Sequence, residues 1–418
     1  MKYYQQVVNV IGCGFAGIEC ALFLAGHGIK VHVFNVKRKY NCNCPYCSGA
    51  KISSKEELFE GLLKRELVLL GSPLMKEEER LRREGFKGCI SEKLLQYGEN
   101  LVKNNKNIEY FEACIHQLNP KEINIIATGG YTDEGMYEFL LNKYGSMRCF
   151  KNFQINPVFM NVDLNKLYQR EGDDDHYFLP LDYMEYLQFI NSVVKVMNRL
   201  GKAFSKDLVE NTMEELVCKG KDCLKNYAMM PIYLSQLSHK PYAVLTFKKV
   251  ENGLMLDGIS SKLDGESQLE IFQNLKGFEN AILVQKADVK SSVYINAKYV
   301  VNEYNQSMQD EKIFFAGSIL GIDNYVDCIA SGIYTAMNVN KYYSGYRMVE
   351  LPNNCCIGSL AQKIISTNLL KRNGNFENYD IIDKQADYSS QKVIEFLFNR
   401  SIESLAKFKE EYIYGKHV

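Results

Sequence analysis

Three cysteines lie close together near the amino end of the sequence, where they could bind a metal or supply a nucleophile. Cys42, Cys44 and Cys47 fall within six residues, in the stretch YNCNCPYCSGAKIS (40–53). Their spacing suits zinc or an iron–sulfur cluster, although no obvious fourth ligand is nearby. They could also be three inert thiols, or one reactive thiol with two bystanders. The spacing alone leaves all three interpretations open.

The residues after this cluster are compatible with a reactive thiol. Lys51 and Lys55 are near, and a helix is predicted to begin at Ser53 or Ser54. Cations and helix amino termini stabilise a thiolate and so lower the pKa of a cysteine. Lys51 is therefore a candidate catalytic residue.

A glycine pattern about thirty residues upstream predicts a dinucleotide-binding turn. Gly12, Gly14 and Gly17 have the spacing Gly-x-Gly-x-x-Gly, between a strand predicted at 7–11 and a helix at 15–25. The first glycine permits a tight turn, the second lets backbone amides approach a pyrophosphate, and the third allows close helix–strand packing. A second strand, predicted at 30–34, completes a βαβ unit.

Further positions in this unit are candidate cofactor contacts. Phe15 and Ala16 open the helix, and Glu19 is typical of flavoproteins that bind FAD through such a turn. Asn35 stands where a ribose-binding carboxylate is expected at the end of the second strand. An amide can still form a hydrogen bond with a ribose hydroxyl.

Two later segments resemble the strand-and-turn motifs by which flavoproteins with two dinucleotide domains return to FAD. The first, INIIATGG (123–130), contains candidate cofactor contacts Ala127, Thr128 and Gly129. The second is KIFFAGSILGIDNYVDCIASGIYTA (312–336), in which a helix amino terminus is expected to face the flavin. Its candidate contacts are Gly317, Asp323, Tyr325, Ser331 and Gly332.

The order of these elements predicts an α/β fold with an interrupted Rossmann-like FAD-binding domain of the two-dinucleotide-binding type. We predict its first part at 1–175 and its second part, with carboxy-terminal helices, at 292–418. Between them, helical spacing at 181–200 and a hairpin pattern at 240–258 predict an inserted α+β domain at 176–291, which would bind substrate or RNA.

Composition limits the possible functions. Fifty Lys and Arg balance fifty Asp and Glu, so any RNA contact must come from a local cationic patch such as CKGKDCLK (218–225). Thirteen cysteines without a secretory signal suggest reduced thiols in the cytoplasm. No apolar run is long enough for a membrane span, and no further metal site is expected.

Several segments together resemble the TrmFO family, the folate- and FAD-dependent RNA uracil-C5 methyltransferases related to the glucose-inhibited division protein A flavoproteins. They include VNVIGCGFAGIECA (8–21), GLLKRELVLLGSPL (61–74), KPYAVL (240–245) and FFAGSILGIDNYVDCIASG (314–332). The resemblance implies that RNA (tRNA or rRNA) receives the methyl group and that methylenetetrahydrofolate donates the carbon. It also implies FAD as redox cofactor and NAD(P)H as reductant, in a monomer or homodimer.

The resemblance also implies which cysteine reacts. The family has a cysteine at the head of a CSNSLR loop, seventeen residues before the lysine of an LLK helix. Cys47 likewise lies seventeen residues before Lys64 and keeps the following serine, Ser48. Cys47 would be the thiolate that adds to uracil C6 and makes C5 nucleophilic.

The substrate-facing segments depart from the family pattern. The family's second functional cysteine, in FEGCMPIE, has no counterpart in LVENTMEEL (208–216), and its NCP becomes FLP (178–180). GFQT becomes GISS (258–261) and HRNTYI becomes KSSVYI (290–295). These changes suggest a paralogue with a different target or methyl donor, such as a ribosomal RNA branch. Two alternatives are a FAD-binding paralogue with lost or redirected methylation, acting as an oxidoreductase or RNA-binding partner, and a division-protein relative modifying a wobble uridine.

Overall fold

The computed structural model describes most of the chain in ranges separated by short gaps. The described residues are 7–36, 54–86, 90–129, 132–155, 157–170, 173, 176–201, 212–250, 253–284, 289–322, 324–366 and 391–414. Cys42, Cys44, Cys47, Lys51 and Asp323 lie outside these ranges. The predictions made for these five residues therefore stay predictions.

A parallel sheet forms the centre of the first structural unit. Its strands are β1 (Val8–Ile11), β2 (Val31–Asn35), β3 (Ile108–Glu112), β4 (Ile123–Ile126) and β12 (Ile313–Phe315). They lie in the order β12-β4-β1-β2-β3, and every neighbouring pair is parallel. β1 and β4 are buried throughout their length, as expected for central parallel strands. The predicted Rossmann-like α/β class is confirmed.

Helices pack against this sheet and against one another. Those nearest the sheet are α1 (Phe15–Gly26), α2 (Ser54–Leu70), α3 (Pro73–Arg83), α4 (Ile90–Lys103), α5 (Glu134–Tyr144), α10 (Ala297–Val300) and α11 (Tyr325–Tyr343). α4 approaches α1 and α3 closely at Gly98, where a Cβ atom would lie 2.8 Å from Ile18 Cγ2 and 2.9 Å from Leu74 Cδ2. A side chain at position 98 would therefore force Ile18 or Leu74 to move.

A second sheet is antiparallel and has its own hydrophobic core. Its strands are β6 (Val158–Met160), β7 (His176–Leu181), β8 (Ala243–Val250), β9 (Gly253–Asp257) and β10 (Ile282–Leu283), in the order β10-β6-β9-β8-β7. The helices α6 (Tyr183–Arg199), α7 (Met213–Lys219), α8 (Cys223–Ala228) and α9 (Gly265–Phe272) accompany it. Buried Phe159, Phe247, Phe272 and Phe278 are in ring contact. The predicted helix at 181–200 and hairpin at 240–258 are confirmed as α6 and β8–β9.

The antiparallel sheet takes its first strand from residues before 175, and the predicted domain limits stay a prediction. β6 pairs with β9 and β10, so the antiparallel sheet begins at Val158. Just outside it, β5 (Cys149–Ile155) and β11 (Val289–Ile295) form an antiparallel ribbon. The limits predicted at 175 and 291 rest on helix and hairpin signals, which a three-residue strand does not produce.

The carboxy-terminal helices α12 (Cys356–Ser366) and α13 (Gln391–Tyr414) attach to α2 through a buried carboxylate. Glu66 accepts hydrogen bonds from the backbone N–H groups of Cys356 at 2.8 Å and Ile357 at 2.9 Å, and from the Ser401 hydroxyl. Glu66 thereby caps the amino terminus of α12 and holds α13. The predicted tail helix is confirmed as α13.

Candidate functional site

A cleft opens at the carboxyl edge of the parallel sheet, where the β1–α1 turn meets the ends of β2 and β4. In open α/β sheets, this edge is where ligands bind. The described residues that line the cleft are Ile11, Gly12, Cys13, Gly14, Phe34, Asn35, Val36, Ala113, Ile115, Ala127, Thr128 and Asp133.

The glycines of the first turn have distinct structural roles. Gly12 has a φ of +107°, and a Cβ atom there would lie 2.7 Å from the carbonyl carbon of Ala127. A Cβ atom on Gly17 would overlap the carbonyl oxygen of Gly12. Gly14, in contrast, has nothing within 4 Å of a built Cβ position, although it lines the cleft. The backbone therefore leaves room beside Gly14 for a ligand to approach closely.

The amino terminus of α1 adds an anion-binding element to the cleft. Gly14 is its N-cap residue and has no side chain to cap the helix. The first N–H groups of a helix have no intrahelical acceptor, so they can donate to phosphate oxygens. A pyrophosphate is the group that best fits an uncapped helix beside an open glycine.

Asn35 is held in place by two partners at the end of β2. Its Oδ1 accepts a hydrogen bond from Cys13 N at 3.2 Å, and its Nδ2 donates to Tyr110 Oη at 3.0 Å. Both Asn35 and Cys13 line the cleft. An amide suits this position because it can accept from the turn and donate to a phenol together.

The ATG turn after β4 closes the cleft opposite Gly12. Gly129 has a φ of +52°, and its carbonyl accepts from Thr132 Oγ1 at 2.8 Å. Thr128 Oγ1 lies 2.6 Å from Thr132 Oγ1. Asp133, which lines the cleft, also caps α5 by accepting from Met136 N. Ala127 and Thr128 of this turn line the cleft, whereas Gly129 does not.

Several other predicted contact residues instead bring α1, α11 and the end of β12 together. A Cβ atom on Gly332 would lie 2.5 Å from Ala16 O, and one on Gly317 would lie 2.7 Å from Ala16 Cβ. The Ser331 hydroxyl accepts from Gly317 N at 3.1 Å. Ser331 and Gly332 are therefore packing residues inside α11, whose amino terminus is at Tyr325.

Glu19 lies away from the cleft lining and anchors another helix. Its Oε1 accepts from Ser72 Oγ at 2.5 Å and from Leu74 N at 3.3 Å, at the amino terminus of α3. The residue is 1% exposed, and burial raises the pKa of its carboxyl to about 7, despite those bonds and the charge of Lys76.

We expect Glu19→Gln to flatten the dependence of stability on pH. The native pKa of Glu19 is about 7 against an ordinary 4.5, so the folded state holds this proton more tightly. The unfolding free energy then falls as pH rises from about 4.5 to about 7. A glutamine carbonyl can accept the same two hydrogen bonds without charge. Over this pH range the unfolding free energy of the variant should therefore fall by up to about 3 kcal/mol less than that of the wild type. Urea unfolding at several pH values tests this prediction. It would be contradicted if the unfolding free energies of the two proteins changed in parallel with pH.

A buried charged cluster lies beside Phe15 and Tyr325, whose ring centroids are 5.4 Å apart. Tyr325 Oη donates to Glu78 Oε2 at 3.0 Å, and Lys64 Nζ is 2.8 Å from Glu78 Oε1. Arg82 Nε donates to the same oxygen at 2.7 Å. Burial opposes ionisation of Glu78, but these two cations outweigh it and hold its pKa below the ordinary value.

Glu60 completes this cluster. One of its oxygens pairs with Lys64, while Oε2 is buried without a hydrogen-bond partner. Burial, together with Glu78 and Glu60, raises the pKa of Tyr325 well above its ordinary value, so its phenol remains a proton donor. The sequence prediction named Tyr325 but not Glu60, Lys64 or Glu78, which the structure groups with it. The spacing of four between Glu60 and Lys64 on a helix was the available signal.

Two segments that depart from the expected family pattern lie side by side in the second unit. Met213 N donates to Ser260 O at 2.8 Å, and the Ser261 hydroxyl donates to Glu214 Oε1. Thr212, Glu214 and Ser261 are each fully buried. The two segments therefore contain a buried hydroxyl group, on Ser261, and a buried carboxylate, on Glu214, that are hydrogen-bonded to each other.

A family model described as "Glucose inhibited division protein A" matches residues 7–138 and 159–347. The chain belongs to this family. The match covers the parallel sheet and the antiparallel unit, so the family predicted from the sequence is confirmed.

Curated relatives match nearly the whole chain. A protein of Thermosipho melanesiensis is 27% identical, with 96% of this chain and 99% of the relative covered; one of Thermotoga neapolitana is 28% identical, with 86% and 88% covered. Both are named methylenetetrahydrofolate–tRNA-(uracil-5-)-methyltransferase TrmFO.

The fold is similar to that of Aquifex aeolicus GidA. One crystal form matches with a TM-score of 0.61 and 14% identity over 99% of this chain and 74% of GidA. A second form gives 0.59 and 14% identity, with 97% and 79% covered. At this identity the likeness concerns the fold alone. Among the described residues, no helix combines the length and apolarity of a membrane span.

Proposed function

We propose that this protein is a flavin-dependent methyltransferase that forms 5-methyluridine in RNA with methylenetetrahydrofolate as carbon donor. The observation that carries the proposal is the nearly full-length match to relatives named for this activity. The glycine-lined cleft supports it, since an open glycine beside an uncapped helix start suits the phosphates of a dinucleotide cofactor. The relatives' names contain tRNA, so we propose tRNA as the substrate ahead of rRNA, with NAD(P)H as the reductant.

The residues around the cleft fit the adenosine diphosphate part of FAD. The open side of Gly14 and the uncapped start of α1 would hold the pyrophosphate. Asn35, at the end of β2, is the residue nearest in kind to the usual ribose ligand. FAD, when bound and reduced, supplies the two electrons that turn a transferred methylene group into a methyl group.

The chain's own chemistry in this proposal begins with a thiolate. We assign Cys47 to add to uracil C6, which makes C5 nucleophilic toward the one-carbon unit. As C5 forms its bond to the one-carbon unit, the bond from that carbon to its carrier nitrogen breaks. C5 then loses its proton, the methylene group takes up two electrons and a proton to become a methyl group, and the C6–sulfur bond breaks to restore the thiolate. Lys51 would stabilise the thiolate before the attack.

We propose that the charged cluster beside Phe15 borders the place where the flavin ring binds. Because Glu78 is ionised and buried, it keeps the Tyr325 hydroxyl pointing at itself. The Tyr325 ring then has one orientation against Phe15, at the amino terminus of α11. We propose that this arrangement positions the cofactor and excludes water.

Transfer of label from methylenetetrahydrofolate to RNA tests the proposed activity. Purified protein with FAD, NAD(P)H and carbon-labelled methylenetetrahydrofolate should place label at uridine C5 of an unmodified tRNA transcript. Cys47→Ala should abolish the transfer while FAD stays bound, since the thiol acts on uracil and not on the cofactor. Absence of label on both tRNA and rRNA would overturn the methyltransferase assignment and leave the flavin site intact.

One observation favours a second candidate, a flavoprotein whose methylation is lost or redirected. The segment matching the family's second functional cysteine contains none, and Thr212 there is fully buried and caps α7 by accepting from Glu215 N. Such a protein would oxidise NAD(P)H without labelling RNA. Measuring both reactions on one preparation separates the two candidates.

A further inference from the structure

The described segment 218–242, which contains α8, is rich in cations. It contains Lys219, Lys221, Lys225 and Lys240 against a single acidic residue, Asp222. The whole chain has a formal net charge of zero. The segment is therefore a local positive surface on an otherwise balanced molecule.

Exposed tyrosines accompany these lysines. Tyr183, Tyr227 and Tyr233 are 44%, 40% and 69% exposed. Tyr183 begins α6 and meets Tyr242 edge to face, with ring centroids 5.0 Å apart. Lys225 Nζ lies 4.4 Å from the centroid of the Tyr242 ring. Large aromatic rings beside cations at a surface suit a ligand with both planar groups and negative charge.

Buried hydrogen bonds hold this surface in place. The hydroxyl of fully buried Tyr186 donates to Lys221 O and accepts from Lys225 N at 3.2 Å. Tyr242 Oη donates to Asp222 Oδ1 at 2.9 Å and accepts from Lys225 Nζ at 3.3 Å. The one acidic side chain is thus already engaged with Tyr242.

The residues of α8 lie on the same face of the antiparallel sheet as Tyr242. Leu224 of α8 is buried in the core that α6 and Ala243 share, and Tyr242 packs against that core. Tyr227 is exposed on this helix. Lys225 Nζ also lies 3.4 Å from Asp222 Oδ1, so Asp222 balances part of the lysine charge.

We propose that Tyr183, Lys225, Tyr227, Lys240 and Tyr242 form a binding surface for single-stranded or loop RNA. Unpaired bases stack on aromatic rings, and lysines neutralise the phosphates between them. Charge complementarity favours a nucleic acid over a protein, because four lysines outnumber Asp222 and the two carboxylates beside Tyr183, Asp182 and Glu185. The inference rests on the proposed function and names the surface that receives its RNA.

RNA binding without turnover tests this surface. Fluorescence anisotropy of a labelled oligouridine of about ten nucleotides measures affinity on the FAD-loaded protein. Tyr183→Ala and Tyr227→Ala should each weaken binding about fivefold or more, as loss of one stacked base does. Lys240→Gln should lower the slope of log affinity against log salt by about one. Tyr299→Ala is the matched control, since Tyr299 is 46% exposed and has Lys298 Nζ 5.7 Å from its ring centroid, outside this surface.

The result separates this proposal from the proposed function. Weakened RNA binding in the two tyrosine variants supports the surface, whether or not the wild type transfers label to uridine. Wild-type affinity in both variants, or equal weakening by Tyr299→Ala, overturns it and leaves the surface to a protein partner. Thermal unfolding of each variant shows whether the fold is retained.

Discussion

Gly14→Ala is expected to fold like the wild type and to bind FAD at least tenfold more weakly. Gly14 has a φ of −85°, which alanine adopts freely, and a built Cβ atom meets nothing within 4 Å. The added methyl group would instead occupy the cleft beside the start of α1. A tenfold loss corresponds to about 1.4 kcal/mol of binding free energy.

Two other glycines provide matched controls on the same helix. Gly17→Ala should lose both FAD and stability, because its Cβ atom would overlap Gly12 O. Gly26→Ala should keep FAD and raise stability by about 0.5 kcal/mol, since nothing lies within 4 Å of the built atom and alanine favours helices. Flavin absorbance and thermal unfolding of the three purified variants give both quantities. If Gly14→Ala bound flavin as tightly as the wild type, the proposal that the pyrophosphate lies at this turn would be wrong.

The first βαβ unit was predictable because its signals are local. Apolar strands, a glycine spacing and a helix between them lie within about thirty residues, and β1, α1 and β2 match the predicted bounds within about two residues. β6 escaped prediction because a three-residue strand at the edge of an insertion has no periodicity to detect.

The roles of buried polar residues could not be predicted, since they depend on distant partners. Glu19 is bonded to Ser72, 53 residues away in the chain, and not to a group in the turn beside it. Asn35 is hydrogen-bonded to Tyr110, which comes from β3, as well as to Cys13 in the nearby turn. A motif shows that a polar residue occupies a position, but long-range packing decides which group it faces.

The cluster around Lys64 leads to the second large effect. Lys64→Met should lower the unfolding free energy by about 3 kcal/mol, at the low end for a broken buried ion pair. The value is low in that range because the Lys64 side chain is 18% exposed and Arg82 remains on Glu78. Glu60, whose Oε2 already lacks a hydrogen-bond partner among the described residues, would lose its ion pair with Lys64.

Combining Lys64→Met with Glu60→Gln tests whether the loss comes from unpaired charge. The double variant should recover part of the stability, because it no longer buries an uncompensated carboxylate at position 60. Urea unfolding of the two single variants and the double variant completes the cycle, with Lys392→Met on the exposed face of α13 as a control. Flavin content is a second measure, since Glu78 would hold Tyr325 less firmly without Lys64. Additive effects of the two changes would show that Lys64 and Glu60 do not interact, and would assign the loss in Lys64→Met to its ion pair with Glu78.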